Sequence, residues 1–576
     1  MTISNLVKYT SFFALTLICC LTTAVFNWDR RLVHTSTDSA PKPMFYTRRH
    51  QDILKFSSSN IKTSSVAYTA KKSDKIFIPT YQSVKDAHHT KYTDNDVTEK
   101  GNVGMIDGGK TLIALKNADK HVKVGDFFSV IIEARDSKDQ HRVKGGDFLF
   151  ATIRVTKGHS AGKIIDFNNG TYEVIFFAAW AGKATIEITV VHSSETVDYI
   201  ESELWSTEQR IGWNGNFRAN SKKSEHTLCR FTKVTATDKC VYSHPRALGK
   251  TVFLCDKPVN LSCETLFSIK SSSSYVEDVF SKLYTSHRSL YDKSVTYARL
   301  TNGISSININ SSDDQSTLGI LEKIWLPECK PDMPIPLSDG FWTGSIWTSL
   351  QCKAKQWTGP EIIQCIKEKQ LIFMGDSTTR QWAEGMLELT NVTKSIYTSR
   401  PTTKQIRHHS DIMTFDFYFH PYSIGSVQHR YRVGKWEYEV LDNLNSSACN
   451  YVIMVSPWAH YSQWTKESVI ERLRLLRETL IRFMKRCPNA QVLMKTPHPR
   501  NHKSKTSLLY SSDKILYDIY ELYYKLFSGL GIHIIDIWDM NLAYPHTNTI
   551  HMPMKVIYQE LFLMFSHICT GVLTAI

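Results

Sequence analysis

Leu371-Ile372-Phe373-Met374-Gly375-Asp376-Ser377-Thr378-Thr379-Arg380-Gln381-Trp382 decides how the C-terminal half of this chain is read. The four leading apolar residues make a run of strand length, and beyond Ser377 the residues Trp382, Met386 and Leu389 recur at helical spacing. Gly375 allows a sharp turn between the two. A serine at a strand-to-helix turn lifts its hydroxyl clear of the sheet, beside backbone N–H groups at the positive end of a helix. That geometry suits a nucleophile whose attack generates an oxyanion. Gly-Asp-Ser is also ordinary turn chemistry, so its place after a strand is what gives the tripeptide meaning.

Such a serine needs a base in reach and a third group to orient the base. The chain has 22 histidines, and position singles out His551. It follows the apolar run 532–537 and precedes a helical stretch from Met554 to Ile568, in the loop where an α/β sheet presents residues at its carboxyl edge. His460 and His498 stand just past other strand runs and are candidates for the same cleft, with a packed or surface role as the alternative.

Strand runs at 371–374, 451–455, 492–494 and 532–537 alternate with helical patterns at 467–486 (Val469, Leu473, Leu476, Leu480, Met484) and 513–527 (Ile515, Ile519, Leu522, Leu526). This rhythm predicts a parallel sheet covered on both faces, placed in an α/β domain over 326–576. Residues 101–265 follow period two instead. Phe128, Val130, Ile132 and Ala134 share one face; Ala184, Ile186, Ile188 and Val190 share another, with Thr185, Glu187 and Thr189 between them. Breaks at Gly145-Gly146 and Asn168-Asn169-Gly170 complete the pattern of an antiparallel β-sandwich. Residues 266–325 are Ser-rich and read as a linker with some helix. Residues 27–100 lack apolar periodicity and read as a basic flexible stem.

Tyr9 to Phe26 is uncharged and mostly apolar, within residues 1–26 that read as a signal anchor or a cleaved signal peptide. Either sends the rest of the chain into the secretory pathway. Ten cysteines lie beyond it, none in a CxxC pair, as expected for disulfides rather than a zinc site. Sequons at Asn169, Asn260, Asn310, Asn391 and Asn445 fit the same compartment. The formal net charge of +14 would suggest nucleic acid, which a secretory chain does not meet. Anionic glycans or a membrane surface are the partners left for it, beside a merely soluble basic stretch. Gly104 to Thr111 fits the P-loop pattern, but no strand precedes it and a β-rich region follows, so it reads as a turn.

The 374–382 segment, Asp536-Ile537-Trp538-Asp539-Met540 and Thr547-Asn548-Thr549-Ile550-His551 together resemble the neurexophilin and PC-esterase domain (NXPE) family. Upstream, Glu133-Ala134-Arg135-Asp136, Gly145-Gly146-Asp147-Phe148-Leu149 and Asp166-Phe167-Asn168-Asn169-Gly170-Thr171-Tyr172 resemble its neurexophilin-like half. The resemblance implies an SGNH-type esterase fold, related to enzymes that move acetyl groups on and off glycan hydroxyls. It makes Ser377 the nucleophile and His551 the base; beside them Gly375, Asp376 and Arg380 are candidates for the oxyanion and substrate side, Arg380 either bracing the turn or contacting an anionic sugar. No cofactor is then required beyond an acyl donor such as acetyl-CoA. The acceptor would be a glycan or glycoprotein, and the setting a single-pass type II membrane protein of the Golgi or a secreted protein. The broader PC-esterase pattern has aspartate where Asn548 stands; Asn548 can orient the imidazole but cannot neutralise an imidazolium, so Asp539, or after it Asp536, is the candidate acid. Trp458 stands where relatives have glycine, and Met552-Pro553 where they have Pro-Pro. A non-catalytic neurexophilin-like binding protein, taking a cell-surface receptor as partner, is therefore the alternative.

Overall fold

The computed structural model describes residues 76–89, 104–117, 121–208, 212–220, 223–233, 235–271, 285, 287–311, 322–392, 396–397, 406–422, 434–500, 508–509, 511–545 and 550–569. The apolar segment Tyr9–Phe26 and Asn548 lie outside these residues. Among the described residues no helix is long and apolar enough to cross a membrane.

Two sheets face one another in the first half. One runs Asn302–Gly303, Leu112–Leu115, Phe127–Glu133, Thr171–Phe177, Lys163–Asp166; the other runs Thr296–Arg299, Gly182–His192, Phe148–Val155, Gly158–Ala161, Gly340–Thr343, Ile346–Ser349, with Ser306–Ile309 pairing beside Gly182–His192. The period-two faces meet between them. Val130, Ile132, Ala184, Ile186, Ile188 and Val190 are all buried in one shared core, while Thr185, Glu187 and Thr189 are half-exposed. The P-loop-like stretch is a turn in which Asp107 Oδ1 accepts the Gly109 N–H, 2.8 Å, before strand Leu112–Leu115 begins.

Three readings of the sequence are corrected here. Strands Thr296–Arg299 and Ser306–Ile309, inside the expected linker, pair with Gly182–His192, and Gly340–Thr343 and Ile346–Ser349 extend the same sheet from within the expected α/β stretch. These partners are distant in the chain, so no local pattern announces them. Residues 213–271 leave the sandwich altogether as a separate five-stranded antiparallel sheet, stapled by Cys229–Cys255 and Cys240–Cys263. It packs on the α/β part, with Phe231 stacked on Trp464 at 4.0 Å. Finally, within the expected stem residues 76–89 take regular structure: helix Tyr81–His89 docks on the sandwich through the Tyr81 hydroxyl, which donates to the Ile164 carbonyl at 2.7 Å.

The α/β part holds a seven-stranded sheet in the order Ile396–Tyr397, Ile406–His409, Thr414–Phe419, Gln370–Gly375, Tyr451–Ser456, Gln491–Lys495, His533–Ile535. The last five are mutually parallel. Counted along the chain, their spatial order is 2-1-3-4-5, and the order reverses between Gln370–Gly375 and Tyr451–Ser456. In open α/β sheets the carboxyl ends at such a reversal are where ligands bind. Helices Ser377–Leu389 and Met554–Ile568 cover one face and Lys466–Arg486 and Asp513–Phe527 the other, each through its apolar stripe. Cys329–Cys352, Cys365–Cys569 and Cys449–Cys487 complete five disulfides.

Candidate active site

Strand Gln370–Gly375 delivers Ser377 to the switch point. Gly375 is needed because the strands close there: a Cβ would lie 2.3 Å from Thr379 Oγ1 and 2.7 Å from the Ser456 carbonyl oxygen. Asp376 caps helix Ser377–Leu389, accepting from the Thr378 N–H at 2.8 Å and the Thr378 hydroxyl at 2.7 Å. Its other oxygen accepts the Ala459 N–H at 2.8 Å. A single fully buried carboxylate thus ties the nucleophile turn to the segment Trp458-Ala459-His460 at the end of the neighbouring strand. Burial raises the Asp376 pKa, but His460, Lys495 and His420 nearby outweigh it and hold the carboxyl below its usual range.

Ser377 itself is half-buried at the positive end of a 13-residue helix. Its Oγ lies 2.8 Å from Nε2 of His551, which reaches it from across 174 residues of chain. His551 is exposed at the rim, yet partial desolvation of its ring lowers its pKa, and Arg380, Lys495 and Arg500 lower it further against the pull of Asp376. The imidazole is therefore neutral at physiological pH, the state in which a base accepts a proton.

The other expected site residues are placed as follows. Arg380 forms an i,i+4 ion pair with Glu384 of its own helix at 3.3 Å. Asp539 lies elsewhere: its carboxylate is 2.8 Å from Lys163 of the sandwich. Asp536 accepts the hydroxyls of Tyr520 and Tyr524 at 2.7 and 2.8 Å. Both acids are engaged at the seam with the sandwich, not with the imidazole. The Trp458 ring is fully buried, edge-on to His498 with centroids 4.9 Å apart, and so packs inward. His498 is buried with it, its Nδ1 donating to the Pro499 carbonyl at 2.9 Å, and burial pushes its pKa down to about 4. Among the sequons, Asn260, Asn310, Asn391 and Asn445 are exposed and Asn169 is half-buried.

Two groups beside Ser377 escape sequence reasoning. Lys495, buried at the end of strand Gln491–Lys495, donates to the Thr378 hydroxyl at 3.0 Å and faces the Trp382 ring at 5.1 Å. His420 lies 2.9 Å from His460, Nε2 to Nδ1, and its own Nδ1 is 2.7 Å from the Pro421 carbonyl. A carbonyl only accepts, so His420 Nδ1 carries the proton. Burial, with His460 beside it, pushes the His420 pKa down to about 3, which leaves its Nε2 bare. His460 Nδ1 must then be the donor. Histidine spacing in the sequence carries no trace of this pair, because strand Thr414–Phe419 was not among the apolar runs.

Comparison with known families gives two matches. A model described as Neurexophilin matches residues 113–291, and one described as NXPE family member 4-like, C-terminal domain, matches residues 347–569. They fall in the order that the motifs of the two halves imply, and the five disulfides and the family's domains fit a protein of the secretory pathway. The chain belongs to the NXPE family.

Proposed function

We propose that this chain is an O-acyltransferase or esterase of the SGNH type that moves acetyl groups on glycan hydroxyls. The observation that carries the reading is the 2.8 Å approach of His551 Nε2 to Ser377 Oγ at the topological switch point. Ser377 Oγ attacks the acyl carbonyl of the donor while His551 takes its proton. The helix N-terminus faces the charge that develops on the carbonyl oxygen. The proton then goes to the leaving group, and the acyl-serine is attacked by a sugar hydroxyl (transfer) or by water (hydrolysis), with His551 again as base. Acetyl-CoA is the donor class proposed, and a glycan or glycoprotein the acceptor. His551 becomes an imidazolium as it takes the proton, and Asn548, three residues before it, is the group proposed to orient the ring through that step, as an amide that cannot neutralise the charge. The protein would act in the Golgi as a type II membrane protein, or be secreted. Replacing Ser377 by alanine and measuring glycan O-acetylation in expressing cells tests the reading. Loss of the wild-type signal is expected, and unchanged acetyl levels would end it.

The Neurexophilin match over 113–291 favours a second reading, a binding protein in which the sandwich takes a cell-surface receptor and the α/β part is a scaffold. Pull-down of receptor ectodomains by the full chain, compared with the Ser377→Ala variant, separates the two: a binding role is indifferent to the substitution.

A further inference from the structure

A cavity of about 610 Å³ lies where the sandwich meets helix Asp513–Phe527, and neither Ser377 nor His551 lines it. This volume is in the range that encloses a small ligand. Its wall combines two kinds of surface. Aromatic rings come from both sides: half-buried Phe148 and Phe150 from the sandwich, facing Tyr517 at 5.3 Å and Trp538 at 6.3 Å. Tyr517 in turn stacks on Tyr520, centroids 5.2 Å apart and planes 20° from parallel. Charged groups line the same cavity, and several of them are paired within the protein. Lys163 bridges Asp339 at 3.0 Å and Asp539 at 2.8 Å, and Lys514 pairs with Asp518 and Glu201. Asp147 lies 3.7 Å from Arg142 and accepts the Tyr172 hydroxyl at 2.7 Å.

Those pairings restrict the occupant. The charged lining nearly balances, with Lys85, Lys163 and Lys514 against Asp147, Asp166, Glu521 and Asp539, so neither an anion nor a cation meets a surplus of more than one counter-charge. Paired ions nevertheless keep lone pairs and N–H groups that bond hydroxyls. Ring faces, electron-rich at their centres, take up the C–H face of a saturated ring. We propose that this cavity binds a neutral pyranoside, as a glycan subsite separate from Ser377. It rests on its own lining residues and stands whether or not Ser377 is catalytic.

The test is saturation-transfer NMR on the full chain with methyl β-D-galactopyranoside and methyl β-D-glucopyranoside as probes, and cyclohexanol and tetramethylammonium as controls. Transfer to the ring protons of at least one glycoside is expected, at least fivefold above both controls. It should fall at least fivefold in Leu542→Trp, which puts an indole into the cavity from its wall, and persist in Ser377→Ala. If Leu542→Trp does not fold, Phe150→Leu removes one ring face instead, with the same loss expected. Absence of transfer to either glycoside, equal transfer to the controls, or an unchanged signal in the folded cavity variant overturns the proposal. So does loss of the signal in Ser377→Ala, which would put the sugar at the serine.

Discussion

Asp376→Asn is the perturbation that most directly weighs the architecture behind Ser377. The carboxylate is fully buried and accepts three hydrogen bonds: the Thr378 N–H at 2.8 Å, the Thr378 hydroxyl at 2.7 Å and the Ala459 N–H at 2.8 Å. Asparagine has one acceptor oxygen. If it keeps both bonds to Thr378, its NH₂ faces the Ala459 N–H, and a buried donor is left unmatched at about 1–3 kcal/mol. The two surviving bonds also change from charge-assisted to neutral, a loss of roughly 1 kcal/mol, offset in part because a charge no longer has to be buried. The net local cost is about 2–3 kcal/mol, or a roughly 30- to 150-fold rise in opening at about 1.4 kcal/mol per tenfold. Amide hydrogen exchange by mass spectrometry, read on peptides spanning 370–389 and 456–463, reports that opening directly. Exchange unchanged within about twofold at both would refute the idea that Asp376 ties these segments together. The sign with pH follows from the folded carboxyl being held below its unfolded value near 3.9. The stabilisation is present above that value and is lost as pH falls through the lower folded pKa, so wild-type protection at 370–389 should fade only in acid.

If the Ser377/His551 reaction runs as proposed, its pH–rate profile should keep its acid limb below 6.5, because the base must be neutral and its pKa is depressed. Arg380→Gln removes one depressing cation and should move that limb up, towards 6.5; a limb that stays or moves down contradicts the assignment. Gly375→Ala places a Cβ 2.7 Å from the Ser456 carbonyl oxygen and should cost about 1–3 kcal/mol by overpacking, seen as a thermal midpoint lowered by several degrees. An unchanged midpoint would mean that the strand ends are not so close. His420→Asn removes the imidazole nitrogen that accepts from His460 Nδ1. In ¹⁵N NMR, wild-type His460 should show a protonated Nδ1, and the variant a changed Nδ1 signal as that proton loses its acceptor; an unaltered His460 spectrum would show that something other than His420 holds it.

How much of this was legible depends on how local each signal is. The helix Lys466–Arg486 carries Val469, Leu473, Leu476 and Leu480 on one stripe, all fully buried, and the sequence pattern placed it to within a residue. The serine turn was also readable, because it lies at the end of strand Gln370–Gly375; His551 stands further from its strand His533–Ile535, beyond helix Trp538–Ala543 and just before helix Met554–Ile568. Strand Thr414–Phe419 was not read. It buries Phe415, Phe417 and Phe419 in alternation and sits beside an antiparallel neighbour, so it lacks the continuous apolar run of a central parallel strand. With it went His420, and hence the His420–His460 pair. Asp539 was ranked as the acid from its place after the last strand, but that helix turn looks toward the sandwich, where Lys163 holds it. Long-range ion pairs of this kind leave no spacing to read. The same is true of the late strands that complete the sandwich sheet.

The most direct measurement of the central claim needs no knowledge of the substrate. A fluorophosphonate forms an Oγ–P bond with an activated serine and releases fluoride, while the neighbouring base takes the hydroxyl proton. Treating the full chain with such a probe and mapping the adduct by peptide mass spectrometry should place it on Ser377, with labelling reduced about 10²- to 10⁴-fold in His551→Gln, the range for loss of a positioned general base. An unlabelled Ser377, under conditions that label a serine hydrolase added to the same sample, or labelling that His551→Gln leaves untouched, would contradict the account.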